Sequence, residues 1–514
     1  MVYCLRAVVL IEDVMVLRLF LALSLPISEG VGCKGERVTP SHVHIVFKNA
    51  EVIDGTGAES VLADVAVVDK KIVAIDSGLD CSADMVIDCD GLTLAPGFID
   101  THTHDDHALL DASGLACKIS QGITSVVIGN CGISLAPAPQ TVEKMPYPFH
   151  LIANNGGDFF ESAKSYYDRL KASPPAVNYA SLIGHSALRL SAGVDPDRKA
   201  KESEISHMER QLNKALSEGA KGLSLGLEYP AACAADEREI EPLLATLKQH
   251  NALLTAHLRT ESEAIISAID EVASLAEQAH VPLVISHHKC SGKHNFGRST
   301  ETLPLIENLS KNQQIVFDAY PYTVGMTVLL YKFVKICDKT VIASSLPHPE
   351  LEGKDIYEVA RSFQDSIENA IRYVSPATAF YYIMDEEDVR RILAHPLGMI
   401  GSDGLHDQSP HPRLWGTFPR FFGHYVRDLG ILRWEEAVRK TTSLPAQTFG
   451  LSKRGQISKG FFADMVIFDK AKIKDGATFE NPTKNAEGIV NVFVNGALVW
   501  RQGQETGQRS GERL

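Results

Sequence analysis

The chain has 514 residues, 45% hydrophobic and 22% charged, with a formal net charge of -14. That is enough apolar chain for more than one core, so two domains are expected, and the acidic balance excludes the dense positive face that a nucleic-acid partner requires. Nine cysteines, irregularly spaced and odd in number, exclude a secreted disulfide scaffold and read mainly as small buried hydrophobes.

From Met15 the chain runs through a short apolar block with Arg18 near its start, which is signal-peptide-like and too short to span a bilayer. Residues 1–44 therefore read as a leader, with the protein exported if the block is a signal and cytoplasmic if the segment is a disordered arm. No other segment is long and apolar enough to cross a membrane. Two β-rich ribbons follow, at 45–53 and 61–75, then a short run at 85–87, and residues 45–93 are read as the first part of a β domain.

Eight apolar runs come next, each bounded by a helix-like pattern: 94–99, 124–128, 179–183, 222–227, 253–256, 282–286, 314–318 and 398–401. Between them lie segments such as 204–217, where Ile205, Met208, Leu212 and Leu216 recur at helical spacing. Asp236 with Glu239, and Thr260 with Glu263, read as capping boxes. Eight strand–helix units predict an α/β fold, a (β/α)8 TIM-type barrel over 94–449, with its active site at the strand C-terminal ends. A doubly wound open sheet fits the count but would not bring eight strand ends around one point. The rhythm breaks over about 323–385, too long for a plain loop, which predicts a subdomain inserted near the barrel mouth. After Phe449 the chain returns to β character, so 450–502 is expected to complete one small β domain with 45–93. Residues 503–514 read as a disordered tail.

The candidate chemistry gathers at the predicted strand ends. His102 and His104 stand two apart in a run leaving the first strand, so both imidazoles can face one metal ion. Cys131 follows the second strand in a glycine-flanked turn, where its thiolate would be a strong zinc ligand. His257 and His287 close two adjacent strands at equivalent positions. His288 points away from His287 by alternation and is assigned to packing. Asp403 ends the eighth strand, beside the first when a barrel closes, where a carboxylate stays ionised and can take and return a proton. Arg413, in the loop after Asp403, can grip a carboxylate with two parallel hydrogen bonds. Lys289, Tyr229 and Tyr322 are weaker candidates for holding substrate. No Gly-x-Ser-x-Gly elbow supports serine catalysis.

These motifs carry a resemblance. PGFIDTHTHDD at 96–106, GITSVVIGNCGIS at 122–134, GLSLGLEYPAA at 222–232, ISHHKCSG at 285–292, DAYPYTVG at 318–325 and IGSDGLHDQSPHPRLWGTFPR at 400–420 resemble the N-acyl-D-amino-acid deacylases, or D-aminoacylases, of the amidohydrolase superfamily. The similarity runs from about Ile45 to Trp500. It implies a tight zinc site at Cys131, His257 and His287, a weaker second position bordered by His102 and His104, and attack on an N-acyl-D-amino acid by metal-bound hydroxide with Asp403 as general acid/base. The D configuration rests on the resemblance alone. Other branches bridge two metals with a modified lysine at the end of the fourth strand, whereas Lys221 lies at the wrong end. A cyclic-amide hydrolase of the dihydroorotase or hydantoinase kind is therefore the second expectation, and a metal-free scaffold homologue the third.

Overall fold

Eight short parallel strands, buried at almost every position, follow one another along the chain with helices between them. In the computed structural model, which describes residues 41–111, 115–139, 145–153 and 157–514, these are β1 (Phe98–Asp100), β2 (Ile123–Ile128), β3 (Asn178–Gly184), β4 (Gly222–Gly226), β5 (Leu253–His257), β6 (Leu283–Ile285), β7 (Ile315–Ala319) and β8 (Gly398–Ile400). Each pairs with the next in parallel register. Strand alternation divides their side chains: Ile99, Val127, Leu182, Leu253, Val284 and Met399 form an inner core, whereas Val126, Ile128, Leu254 and Ile285 join the layer of helices. Both faces are covered, which is why the strands read as unbroken apolar runs.

Between β8 and β1 the barrel closes through scattered contacts. Thr103 forms an isolated parallel bridge with Gly404, and Asp403 N donates to His102 O at 2.7 Å. Ser402 N donates to Asp100 Oδ1 at 2.7 Å, and Thr101 Oγ1 to Ile400 O at 3.0 Å.

The run at 94–99, expected as one barrel strand, is two strands in different sheets. Thr93–Pro96 pairs antiparallel with Met465–Phe468 and parallel with His42–Val52. The chain then crosses to β1 at Gly97, where an added Cβ would come 2.1 Å from Thr124 Cγ2. An apolar run carries no mark of which sheet receives it. Thr93–Pro96 belongs to a nine-stranded sheet with His42–Val52, Val61–Val68, Lys71–Asp76 and Ser82–Asp88 from one side of the barrel sequence and Met465–Phe468, Ile489–Val494, Ala497–Arg501 and Gln504–Glu505 from the other. Phe47 and Phe493 meet edge-on at 5.1 Å in its core.

Between β7 and β8 lies a three-stranded antiparallel sheet of Val324–Val328, Thr340–Ser345 and Ala377–Tyr382, with the helices Tyr331–Val334, Ile356–Phe363 and Ile367–Val374. The two expected capping boxes do not form. Asp236 makes no side-chain cap, its Oδ2 accepting instead from Lys199 Nζ at 2.8 Å, and Glu239 turns inward to a buried pair with Arg189 and His185; the helix after Thr260 begins only at Ile265. No helix among the described residues is long and apolar enough to cross a membrane. The expected leader falls, up to residue 40, outside the described residues.

The tail departs from the expectation of disorder. Gln504–Glu505 adds an edge strand. Tyr179 N, in β3, donates to Glu512 O at 3.0 Å, and Leu514 N to Tyr179 O at 2.9 Å, while Leu514 packs on the inner core. Polar side chains say little about a segment whose backbone groups find partners in β3. Deleting residues 511–514 is therefore expected to lower the stability of the barrel by about 1–3 kcal/mol, for one partly buried leucine and its backbone hydrogen bonds. A chemical denaturation midpoint unchanged by the deletion would show that the tail contributes nothing.

Candidate metal centre

Three residues at the strand ends take the left-handed backbone conformation that non-glycine residues seldom adopt: Cys131 (φ 52°), His287 (φ 34°) and Asp403 (φ 48°). Such strain persists only where surrounding structure holds it, and it concentrates at functional sites. At Cys131 the hold is a close approach. An added Cβ on Gly226, the last residue of β4, would meet Cys131 O at 2.1 Å, so only glycine lets the loop after β2 lie on the end of β4.

The six side chains expected at the strand ends fall into two overlapping groups. Donor atoms of His102, His104, Cys131 and Asp403 lie within 4.8 Å of one another, as do those of Cys131, His257 and His287. Cys131 Sγ belongs to both groups. It lies 3.2 Å from His102 Nε2 and 3.3 Å from His287 Nε2. Asp403 Oδ1 lies 3.3 Å from His104 Nε2 and 3.6 Å from His102 Nε2. Ligands on one tetrahedral zinc, with bonds of about 2.0–2.3 Å, stand about 3.3–3.6 Å apart.

The electrostatics ask for a cation. Burial alone would raise the Cys131 thiol, but His102 and His287 outweigh it and hold the group well below its ordinary value, as a thiolate. Burial would likewise discharge the imidazoles. Instead His104, facing Asp403 and Cys131, is pushed up to about 9, and His257, facing Cys131 and Glu228, also to about 9. Protons are the charge this cluster draws to itself, and a dication answers the same field. His104 Nδ1 and His257 Nδ1 are moreover buried without partners. Soft sulfur with imidazole nitrogens is a donor set that suits zinc.

Carboxylates orient the imidazoles from behind. Asp318 Oδ1 lies 3.2 Å from His102 Nδ1 and accepts from His287 N at 2.8 Å. Glu261 Oε1 lies 2.9 Å from His287 Nδ1, and Glu228 Oε2 3.2 Å from His257 Nε2. Such partners fix ring orientation and raise ligand basicity. None of the three was singled out from the sequence, although a lone aspartate inside the apolar strand β7 was a usable signal for Asp318.

The centre opens into a cleft with about 630 Å³ of empty space, part of it open to solvent. Its lining includes His104, His257, His287, Asp403, Arg413, Lys289, Tyr229 and Tyr320 from the barrel, and Met326, Thr327, Phe333, Ile336, Tyr381 and Ile383 from the insert and the chain leaving it. Arg413 is 1% exposed and already engaged. Its Nη1 lies 3.0 Å from Asp403 Oδ2 and its Nη2 donates to Met326 O at 2.9 Å, leaving Nε buried with no partner. Burial would raise the Asp403 carboxyl, but Arg413 and His104 keep it well below its usual range. Lys289 Nζ donates to Glu261 Oε1 at 2.6 Å, and Tyr229 OH meets Thr327 Oγ1 of the insert at 2.9 Å.

Tyr322 does not line the cavity. The chain turns at Pro321, with Tyr322 N donating to Tyr320 O at 3.0 Å, and the turn breaks the alternation that would have kept the two rings together. Tyr322 lies under the Arg420 guanidinium at 4.9 Å, and Tyr320 takes the cavity wall with Arg413 over its ring at 4.7 Å. His288 faces outward to Thr302 Oγ1 at 2.9 Å.

Known proteins share this architecture. The model of the amidohydrolase family matches residues 85–325 and 365–500, the break falling within the insert. A D-aminoacylase of Alcaligenes xylosoxydans xylosoxydans is 46% identical over 471 residues, 91% of this chain and 97% of that protein. A solved D-aminoacylase, described by its binuclear metal centre with one-metal activation and second-metal attenuation, is 45% identical and superposes with a TM-score of 0.89 over 92% of this chain and 99% of its own. The N-acyl-D-glutamate deacylase of Bordetella bronchiseptica, solved with zinc and a phosphonate mimic of the tetrahedral intermediate, is 38% identical with a TM-score of 0.88, covering 92% and 99%.

Because one sulfur serves both donor groups, Cys131→Ala is expected to reduce bound zinc to a small fraction of one per chain, and His287→Ala to do nearly the same. His104→Ala leaves the Cys131, His257 and His287 group intact and is expected to retain one tight zinc. Elemental analysis of the three purified variants checks this; a full zinc in Cys131→Ala would remove the thiolate from the centre.

Proposed function

The chain belongs to the amidohydrolase family, and from that premise we propose that it is a zinc-dependent amidase that cleaves N-acyl-D-amino acids into a carboxylate and a free D-amino acid. The observation that carries this reading is the Cys131 thiolate shared by two donor groups, with Asp403 beside it at the floor of a cavity. Cys131, His257 and His287 form the tight position. His102, His104 and Cys131, with Asp403 beside them, form a second, weaker one. The D configuration is supported by the relatives' substrates. Lys221 lies immediately ahead of β4, at the strand end away from Cys131, so a lysine-bridged cyclic-amide hydrolase lacks its bridge here.

A zinc ion held by these residues supplies a Lewis acid that makes water nucleophilic at neutral pH. The chain's own residues do the rest. Asp403, kept ionised by Arg413, accepts a proton from the attacking water and delivers it to the nitrogen of the breaking amide bond, so that the amine leaves neutral. Arg413, Lys289, Tyr229 and Tyr320 are placed to receive the substrate's carboxylate and amide, with the unpartnered Arg413 Nε as one open donor.

The insert's contribution to the lining, Met326, Phe333, Ile336, Tyr381 and Ile383 with Thr327, favours an apolar side chain. Among the described lining residues the two long cations, Lys289 and Arg413, are already paired with Glu261 and Asp403, so an acidic side chain would meet Phe333, Ile336 and Tyr381 without a counter-charge. N-acetyl-D-leucine is therefore expected to exceed N-acetyl-D-glutamate in kcat/KM by at least about tenfold, given several kcal/mol for burying an unpaired charge, with the L enantiomers processed far more slowly. Free-amine release from the paired D and L substrates measures both; equal rates on D- and L-leucine derivatives would contradict the stereochemical assignment.

Asp403→Asn keeps size but cannot take a proton, and turnover is expected to fall by about two to four orders of magnitude while tight zinc is retained. An unchanged rate in that variant would exclude Asp403 from proton transfer. Arg413→Lys keeps the charge but has no counterpart of the open Nε donor, and is expected to raise KM, with a cost in kcat/KM of about 1.5–3 kcal/mol. An unchanged KM on the free acid would show that Arg413 serves Asp403 alone.

A further inference from the structure

The junction of β8 with β1 carries His102, His104 and Asp403 on the two segments that leave it. A set of buried charges outside the chemistry above spans that junction. Lys118, on the short helix Ala116–Ile119, is 0% exposed, as are Asp100 and Asp105. Its Nζ donates to Asp100 Oδ2 at 2.9 Å and to Ser402 Oγ at 3.1 Å, and ion-pairs with Asp105 Oδ2 at 3.2 Å. Asp100 also accepts from Ser402 N at 2.7 Å, and Asp105 Oδ1 lies 2.7 Å from His406 Nε2. The contacts bracket both functional segments. Asp100 and Asp105 flank the two histidines, while Ser402 and His406 flank Asp403.

A fully enclosed ammonium between two enclosed carboxylates holds its geometry tightly, because displacement leaves charges with no solvent to turn to. Burial opposes the charge on Lys118, and Asp100 and Asp105 more than restore it. Since Ser402 immediately precedes Asp403, whose backbone is held at φ 48°, any loosening here moves the carboxylate relative to the imidazoles.

We propose that Lys118 is a positioning residue: touching neither substrate nor metal, it sets the distance between the His102–His104 segment and Asp403, and so governs both turnover and the affinity of the second metal position. The turnover part rests on the amidase reading above; the metal part does not.

The test compares Lys118→Met and Ser402→Ala with the unaltered protein in two measurements. One is kcat and KM on N-acetyl-D-leucine; the other is the dissociation constant of the second equivalent of zinc, by competition with a chelator. In Lys118→Met, kcat and second-zinc affinity are each expected to fall at least about tenfold, the range seen when residues behind metal ligands are removed, with KM nearly constant and the first zinc retained. Ser402→Ala removes one hydrogen bond and no charge, and is expected to move both in the same direction by about threefold. A lysine acting only through its charge would repel zinc, so its removal would tighten the second site. Tighter or unchanged second-zinc binding in Lys118→Met therefore overturns the proposal. Should that variant fail to fold, Ser402→Ala decides, and unchanged kcat and zinc affinity overturn it. If the unaltered protein hydrolyses no N-acyl amino acid, the amidase reading fails, and the zinc measurement still decides the role of Lys118.

Discussion

One negatively charged sulfur sets the terms for everything around it. Cys131 is buried, and a thiolate out of water must be matched by positive charge nearby. His102 and His287 crowd it at 3.2 and 3.3 Å. Carboxylates then stand behind the imidazoles of His102, His257 and His287, so that each of these three rings is held by one nitrogen. Along one line the pattern alternates in sign outward from the sulfur: the Cys131 thiolate, the His287 imidazole, the Glu261 carboxylate and then the Lys289 ammonium. Removing any layer leaves the next one unpaired in a dry interior, which is why the arrangement is better understood as one charge network than as separate ligands.

The barrel makes this network possible by bringing distant segments to one rim. β1, β2, β5, β6 and β8 each deliver a residue of the centre at their C-terminal ends, the end where such folds place their chemistry. The place where β8 meets β1 is held mostly by side chains, and it separates Asp403 from the two histidines it faces. The insert after β7 then roofs the site and offers apolar residues rather than charge. On the proposed reading, metal chemistry and side-chain selection fall to different parts of the chain: strand ends for the first, the inserted sheet and its helix for much of the second.

Much of this was legible because strand ends write themselves plainly. An apolar run leading to a histidine, cysteine or aspartate announces both the strand and the polar residue near its tip, as five of the runs do, and eight apolar runs with helices between them imply the barrel. What failed depended on contacts remote in sequence. Gly97 divides an apolar run between two sheets, and only the approach of Thr124 reveals it. Tyr322 leaves the cavity because Pro321 turns the chain. The tail is ordered by hydrogen bonds to Tyr179, more than three hundred residues earlier. Asp318, Glu261, Glu228 and Lys118 act through partners that no local spacing brings together. Lys118 in particular sits in a short helix whose sequence, Ala-Cys-Lys-Ile, gives no hint of a lysine shut away from water.

The most direct measurement of the central claim is a titration of zinc into metal-free protein, following hydrolysis of N-acetyl-D-leucine and, in a parallel cobalt titration, the thiolate-to-metal charge-transfer band. Activity and the band are expected to reach their maxima together at about one equivalent of metal, because the proposed tight position contains the Cys131 thiolate. Full hydrolysis by the metal-free protein, or a maximum of activity with no thiolate band at any equivalence, would contradict the claim.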